Sequence, residues 1–337
     1  MARIYFSHSY KDIISTENML LAWKEFLVGK KNKQDVQEFS LRVMDNILQI
    51  IQELATKSYS HGSYQAFNIS DPKPRNIHKA SVRDRLLHHA LYRKLYPFFD
   101  RTFIADSYSC RVGKGTHKAM NRFHSFFRKV SRNNTRTCWV LKCDIRKFFA
   151  SVDHMVLASI LKLYIPDEDI LWLLGKITSS FHSHREGVGL PLGNLTSQLL
   201  VNIFMNEFDQ WMKHNLGAQY YIRYADDFVI LHENKEYLQT LVPKMHVFLK
   251  GRLKLSLHPD KLFIKTFSSG VDFLGWIHFP HHRILRTTTK RKMMRRIKVD
   301  RRNEVVQSYL GLLSHGDGFC VQEQIKKCTK KLTDSLL

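Results

Sequence analysis

Apolar residues at three- and four-residue steps predict most of this chain as helix, broken by short runs whose apolar positions are continuous or alternate. Leu20, Trp23 and Leu27 predict a first helix over 16–28, with Gly29 as its stop. After the basic connector Lys30-Lys31-Asn32-Lys33, a single longer helix is expected from Val36, Phe39, Val43, Ile47, Ile50, Ile51 and Leu54. Residues 67–77 are expected to be extended, because Pro72 and Pro74 forbid helix there. Helices are predicted over 81–99, 116–130, 196–214 and 235–250, with a helical region over 155–185 and closing helices over 303–313 and 320–336. Strands are predicted over 139–145 and 253–257, the latter followed by a turn at His258-Pro259-Asp260. Hairpins are expected over 219–231 and 271–276.

The hairpin over 219–231 sets Asp226 and Asp227 between two apolar, aromatic runs. Successive side chains of a strand point to opposite faces, so both aspartates serve one site only if the backbone turns there. A carboxylate pair on a rigid hairpin suits Mg²⁺, which takes hard oxygen ligands. Asp-Asp is also ordinary turn chemistry, so other residues must decide. Asp144 ends the apolar run 139–145, and a buried acid there is costly unless paired or metal-bound. It is the candidate third carboxylate. Lys73 and Arg75 read either as a phosphate grip, with Arg as a bidentate fork, or as a solvated loop.

The segment 110–117 resembles a phosphate loop but fails its test: Lys114 is followed by Gly, and no Gly lies five residues before Gly113. It reads instead as a basic turn, with Arg111 and Lys114 facing a nucleic-acid backbone. The loop 187–198, punctuated by Gly and Pro, lets backbone at Gly193 approach a ligand closely.

Charge narrows the partner. The net charge of +23 over 337 residues, with 44% hydrophobic content, describes a globular chain that repels itself unless a polyanion is bound. Residues 286–302 concentrate it, with nine basic residues against Asp300, and Lys290, Arg291, Arg295 and Arg296 are its expected phosphate contacts. No apolar run approaches the ~20 residues of a spanning helix and no signal-peptide core is present, so a soluble, cytoplasmic protein without membrane contact is expected. Five scattered cysteines suggest no disulfide framework, and no Cys or His stands at zinc-ligand spacing.

Taken in order, these motifs resemble reverse transcriptases over about residues 65–313: Lys73-Pro74-Arg75, Asp144 to Asp153, Leu190 to Gln198, Tyr224-Ala225-Asp226-Asp227, Lys261 in the next strand, and Phe273-Leu274-Gly275. The resemblance implies an α+β right-hand polymerase with fingers, an antiparallel palm and a helical thumb. Its implied boundaries are an N-terminal helical extension over 1–66, fingers over 67–136 and 155–189, palm over 137–154 and 190–279, and a basic thumb over 280–337. It implies RNA-directed DNA synthesis with two Mg²⁺ ions held by Asp144, Asp226, Asp227 and the Ile145 backbone carbonyl. Lys73 and Arg75 would hold the dNTP triphosphate, Phe149 would stand against the sugar 2′-position, and Lys261 would act on the leaving pyrophosphate.

Within that family, Leu192-Gly193-Asn194-Leu195-Thr196-Ser197-Gln198 resembles the enzymes of diversity-generating retroelements, with an apolar residue before Gly and Gln after Ser. That likeness implies a bacterial or phage-encoded enzyme copying a template-repeat RNA with errors at template adenines, aided by a basic oligomeric accessory protein. Leu192 would line the nucleotide site, and Gly193, Ser197 and Gln198 would contact nucleic acid. The alternatives are a group II intron-derived or defence-associated reverse transcriptase of ordinary fidelity, and a catalytically silent RNA-binding scaffold. The 58 residues after Phe279 are too few for an added RNase H or endonuclease domain beside a thumb.

Overall fold

The computed structural model describes residues 4–69, 74–300 and 302–330. It begins with four helices, α1 (Tyr10–Ile14), α2 (Thr16–Phe26), α3 (Gln34–Ser40) and α4 (Val43–Ala55). Ser9 and Ser15 cap the first two by accepting hydrogen bonds from backbone N–H groups of the first turn. The inward face of α2 is Met19, Ala22, Trp23 and Phe26, and the expected Leu20 and Leu27 are only half-buried beside it. The single helix expected after the connector is two: Arg42 leaves helical geometry at φ −129° and ψ 41°. The break lets Val36 of α3 and Ile47, Ile50 and Leu54 of α4 reach one core.

The extended stretch pairs with the residues before it as an antiparallel ribbon, β1 (Gln65–Ile69) against β2 (Arg75–Lys79). Helix α5 (Val82–Asp100) follows, capped by Ser81, and α6 (Thr116–Val130) starts after Gly115 at φ +105°. Then come β3 (Trp139–Asp144), α7 (Phe148–Ser151), α8 (His154–Lys162), α9 (Glu168–Ser179) and α10 (Leu195–Gln210). The chain continues through β4 (Tyr221–Tyr224), β5 (Asp227–His232), α11 (Lys235–Leu253) and β6 (Phe263–Thr266). It closes with β7 (Val271–Phe273), β8 (Trp276–His278), β9 (Arg283–Leu285), α12 (Thr287–Val299), α13 (Asn303–Leu313) and α14 (Phe319–Lys330).

The central sheet is antiparallel in the order β4-β5-β3-β6. It is covered on both faces, which is why its strands read as continuous apolar runs. Leu141, Cys143, Phe228 and Ile230 join one core with α8, α10 and α11, whereas Val140, Ile222, Val229 and Leu231 pack against Phe123, Phe126 and Phe127 of α6. A third core ties Trp276 and Leu285 to α12, α13 and α14 through Met293, Ile297, Leu313 and Ile325.

The strand expected over 253–257 does not form. Helix α11 runs on to Leu253, Lys254 caps it in the left-handed region at φ 53°, and Leu257 makes only one bridge, to Ile145. The sheet edge is β6 instead. Among the described residues no helix is long and apolar enough to cross a membrane, and Cys110, Cys138, Cys143 and Cys320 are free.

Candidate active site

Tyr224 pairs with Asp227 across the β4–β5 hairpin, which leaves Ala225 and Asp226 as a two-residue turn. Ala225 takes φ 55°, the left-handed conformation such tight turns require. Asp226 is thus at the bend while Asp227 is the first residue of β5. Asp227 stands directly opposite Asp144 in the register, so both side chains leave the same face of the sheet. The backbone fixes this arrangement: Ile145 N–H donates to the Asp226 carbonyl (3.0 Å) and His258 N–H to the Asp144 carbonyl (2.7 Å). The sequence-predicted carboxylates are therefore brought together at the ends of β3, β4 and β5.

Two lysines share the site. Lys261 Nζ lies 2.9 Å from Asp144 Oδ1, from a 3₁₀ turn over Pro259–Lys261 that precedes β6 rather than from within a strand. Lys142 Nζ lies 3.2 Å from Asp227 Oδ2. Burial pushes the Asp227 carboxyl up to about 6 against the pull of Lys142. Burial and then the nearby Asp144 charge raise Asp226, against the pull of Lys261 and Arg75. Arg75 is exposed at the start of β2, close enough for its charge to act on Asp226. Lys73 lies outside the described residues.

Among the described residues no group of three or more His, Cys, Asp or Glu is gathered as a metal-binding set. Lys261 and Lys142 each pair with one of the carboxylates. The donor chemistry nevertheless fits a hard divalent cation: carboxylates converge, and Asp227 Oδ1 is buried with no hydrogen-bond partner.

Beneath the hairpin sits a group that the sequence reading missed. Arg223, fully buried, donates from Nε to both oxygens of Asp209 (2.8 and 2.9 Å) and from Nη2 to Oδ2 (2.7 Å). Tyr221 OH donates to the same carboxylate (2.6 Å), and further guanidinium bonds reach Ser107 Oγ and the Ala225 carbonyl. The available signal was an arginine inside the apolar run that leads to the aspartates.

The remaining predicted residues divide. Phe149 is half-buried in α7, and its carbonyl accepts from Leu190 N–H (2.8 Å), which brings the 187–198 loop against α7. Leu192 is half-buried and its carbonyl accepts from His78 N–H (2.9 Å), while Asn194 Nδ2 donates back to the His78 carbonyl (3.0 Å). Gly193, at φ +109°, meets β2 so closely that a Cβ there would come 2.7 Å from Ile77 Cγ2. Its glycine serves loop-to-ribbon contact. Ser197 is buried and Gln198 half-buried in the first turns of α10.

Arg111 departs from the expectation of a nucleic-acid contact. Its side chain is 6% exposed and bonded to the Asp100 carboxylate (2.7 Å) and to the carbonyls of Asp100, Ile104 and Ser107. The guanidinium braces the turn before α6 by bonding these carbonyls together. Lys114 Nζ, in the same turn, donates to the Ala105 carbonyl (2.7 Å). On α12, Arg291 and Arg295 are exposed, Lys290 is half-buried, and Arg296 is exposed with a bond to Asp300 (3.1 Å).

Residues 69–278, more than half of the chain, match the family model described as reverse transcriptase (RNA-dependent DNA polymerase). The protein YkfC of Escherichia coli is 27% identical over 263 residues, 67% of this chain and 67% of that protein. The group II intron-encoded protein LtrA of Lactococcus lactis is 21% identical over 302 residues, and a putative COX1/OXI3 intron 2 protein of Saccharomyces cerevisiae 24% over 207. The matched stretches cover 69% and 43% of this chain, but only 49% and 24% of those two relatives. The chain belongs to the reverse transcriptase family.

Proposed function

We propose that this member of the reverse transcriptase family is an RNA-directed DNA polymerase whose reaction centre is Asp144, Asp226 and Asp227. The observation that carries the reading is the register that sets Asp227 opposite Asp144 with the Asp226 turn bonded to Ile145. Asp144 and Asp226, with Asp227 and the Ile145 carbonyl assisting, would hold two Mg²⁺ ions. When bound, these would neutralise charge on the attacking and leaving oxygens of phosphoryl transfer.

Lys261, at Asp144 in the free protein, is released to the departing pyrophosphate as a proton donor or a positive charge. Lys73 and Arg75 grip the triphosphate, and the ring of Phe149 stands against the sugar 2′-position and selects deoxynucleotides. In this reading β1, β2, α8 and α9 are fingers, the central sheet with α10 and α11 is the palm, and α12 to α14 form a thumb. The exposed arginines of α12 hold the RNA/cDNA duplex. Primed-RNA extension with dNTPs and Mg²⁺ tests the activity: no incorporation overturns it in favour of a silent RNA-binding scaffold.

The subclass rests on Leu192 to Gln198. An aliphatic Leu192 in place of an amide gives template or nucleotide no hydrogen bond to be judged by, so wrong geometry is rejected less strictly. This supports an error-tolerant enzyme of the diversity-generating kind, copying a template-repeat RNA with a basic accessory protein. The intron-encoded relatives support the second reading, an intron-type enzyme of ordinary fidelity. Sequencing the cDNA separates the two: adenine-specific errors that Leu192→Gln suppresses favour the first, and faithful copies the second.

A further inference from the structure

Strand β3 carries an ammonium inside its apolar run, and Lys142 is 8% exposed. A charge so placed persists only where its partners satisfy it. Its partners lie on two different hairpins. One is Asp227 Oδ2, 3.2 Å away on β5; the other is the Asp272 carbonyl, to which Lys142 Nζ donates at 2.8 Å. The Phe273 ring lies 5.9 Å below the ammonium. Strand β7, which carries Asp272 and Phe273, belongs to the separate sheet β7-β8-β9.

The path runs on from there. The Asp272 carboxylate pairs with Arg286, whose own N–H donates to the Gly275 carbonyl in the β7–β8 turn (3.1 Å). Arg286 is the residue immediately before α12, the basic helix. Acid hairpin, β7–β8 hairpin and α12 are thus joined through one buried side chain and one ion pair.

We propose that Lys142 is a positioning residue that fastens the aspartate hairpin to the β7–β8 hairpin, so that one ammonium sets both the seat of Asp227 and the stance of α12 beside it. The inference rests on the reading of Asp144, Asp226 and Asp227 as the reaction centre, and adds to it a residue that neither binds nucleotide nor reacts. Simple neutralisation of Asp227 predicts a change in its own hairpin alone. Fastening predicts that each hairpin feels a change made in the other.

The test is hydrogen–deuterium exchange on the full chain as wild type, K142M, K142R and D227N, with a thermal melt of each, beside steady-state extension of a primed RNA. In K142M the amides of 221–232 and 271–278 are expected to exchange about fivefold faster or more while α2 and α4 keep their rates. D227N is expected to speed exchange in 271–278, although it lies on the other hairpin, and K142R to recover most of the protection that K142M removes. The kcat of K142M falls about tenfold with its dNTP KM nearly unchanged. Unchanged exchange of 271–278 in both K142M and D227N overturns the fastening, and a K142M kcat within about twofold of wild type overturns the positioning role. Should K142M not fold, D227N and K142R decide by exchange alone. A wild-type protein that synthesises no DNA counts against the catalytic reading only, since the exchange arm requires no activity.

Discussion

Two ion pairs flank the same hairpin and differ in nearly everything but charge. Arg223 and Asp209 are both 0% exposed, joined by a fork of hydrogen bonds with Tyr221 added. Lys261 and Asp144 meet through one contact, with the lysine 46% exposed and the aspartate 14%. The first pair is held by low dielectric and by a guanidinium whose remaining donors are also bonded, to Ser107 Oγ and the Ala225 carbonyl. The second lies where water competes for the lysine. A buried pair is costly to break because the survivor keeps an uncompensated charge, whereas an exposed pair is worth little and exchanges freely. The hairpin therefore stands on one contact that is costly to open and carries beside it one that opens readily.

The sharpest way to break the comparison is at its foundation. R223M or D209N is expected to cost about 3–5 kcal/mol, read as a lowered midpoint in urea unfolding, with activity falling as the hairpin loses the support beneath it. Next come D144N and D226N, which leave the unfolding midpoint near wild type while primed-RNA extension drops about a thousandfold, the several kcal/mol of charge stabilisation that the proposed ions would supply. K261M follows: kcat falls about tenfold to a hundredfold and stability changes by less than about 1 kcal/mol. If K261M instead lowers the urea midpoint as far as R223M does, the contrast between the two pairs is false.

The smallest effect is at the exposed end of the scale. Neutralising Arg291 or Arg295 on α12 leaves melting unchanged and lowers the slope of log affinity against log salt by about 1 for each phosphate no longer neutralised, measured on an RNA/DNA duplex.

The sequence made the acidic hairpin legible because its constraint is local: alternation forces a turn wherever adjacent aspartates must converge. Asp144 was legible for a similar reason, as an acid at the end of an apolar strand. Arg223 and Lys142 were not. Each interrupts an apolar run, and only the tertiary register brings Asp209, Asp227 and Asp272 within reach. Arg111 misled because a glycine-flanked basic turn looks the same whether it faces phosphates or carbonyls of its own chain. The strand expected over 253–257 failed because α11 kept its helical period through Leu253, which competing β-propensity did not override.

The junction between the 187–198 loop and β2 has a consequence for how this protein can change. Main-chain atoms of Leu192 and His78, the Asn194 amide and the absence of a side chain at Gly193 make that junction. The hydrogen bonds there use the main chain of residue 192 and not its side chain. A change of side chain at 192 therefore leaves those bonds in place, whereas any side chain at 193 meets Ile77 in a backbone conformation that favours glycine. Two adjacent codons should therefore differ in mutational tolerance, with 193 the stricter.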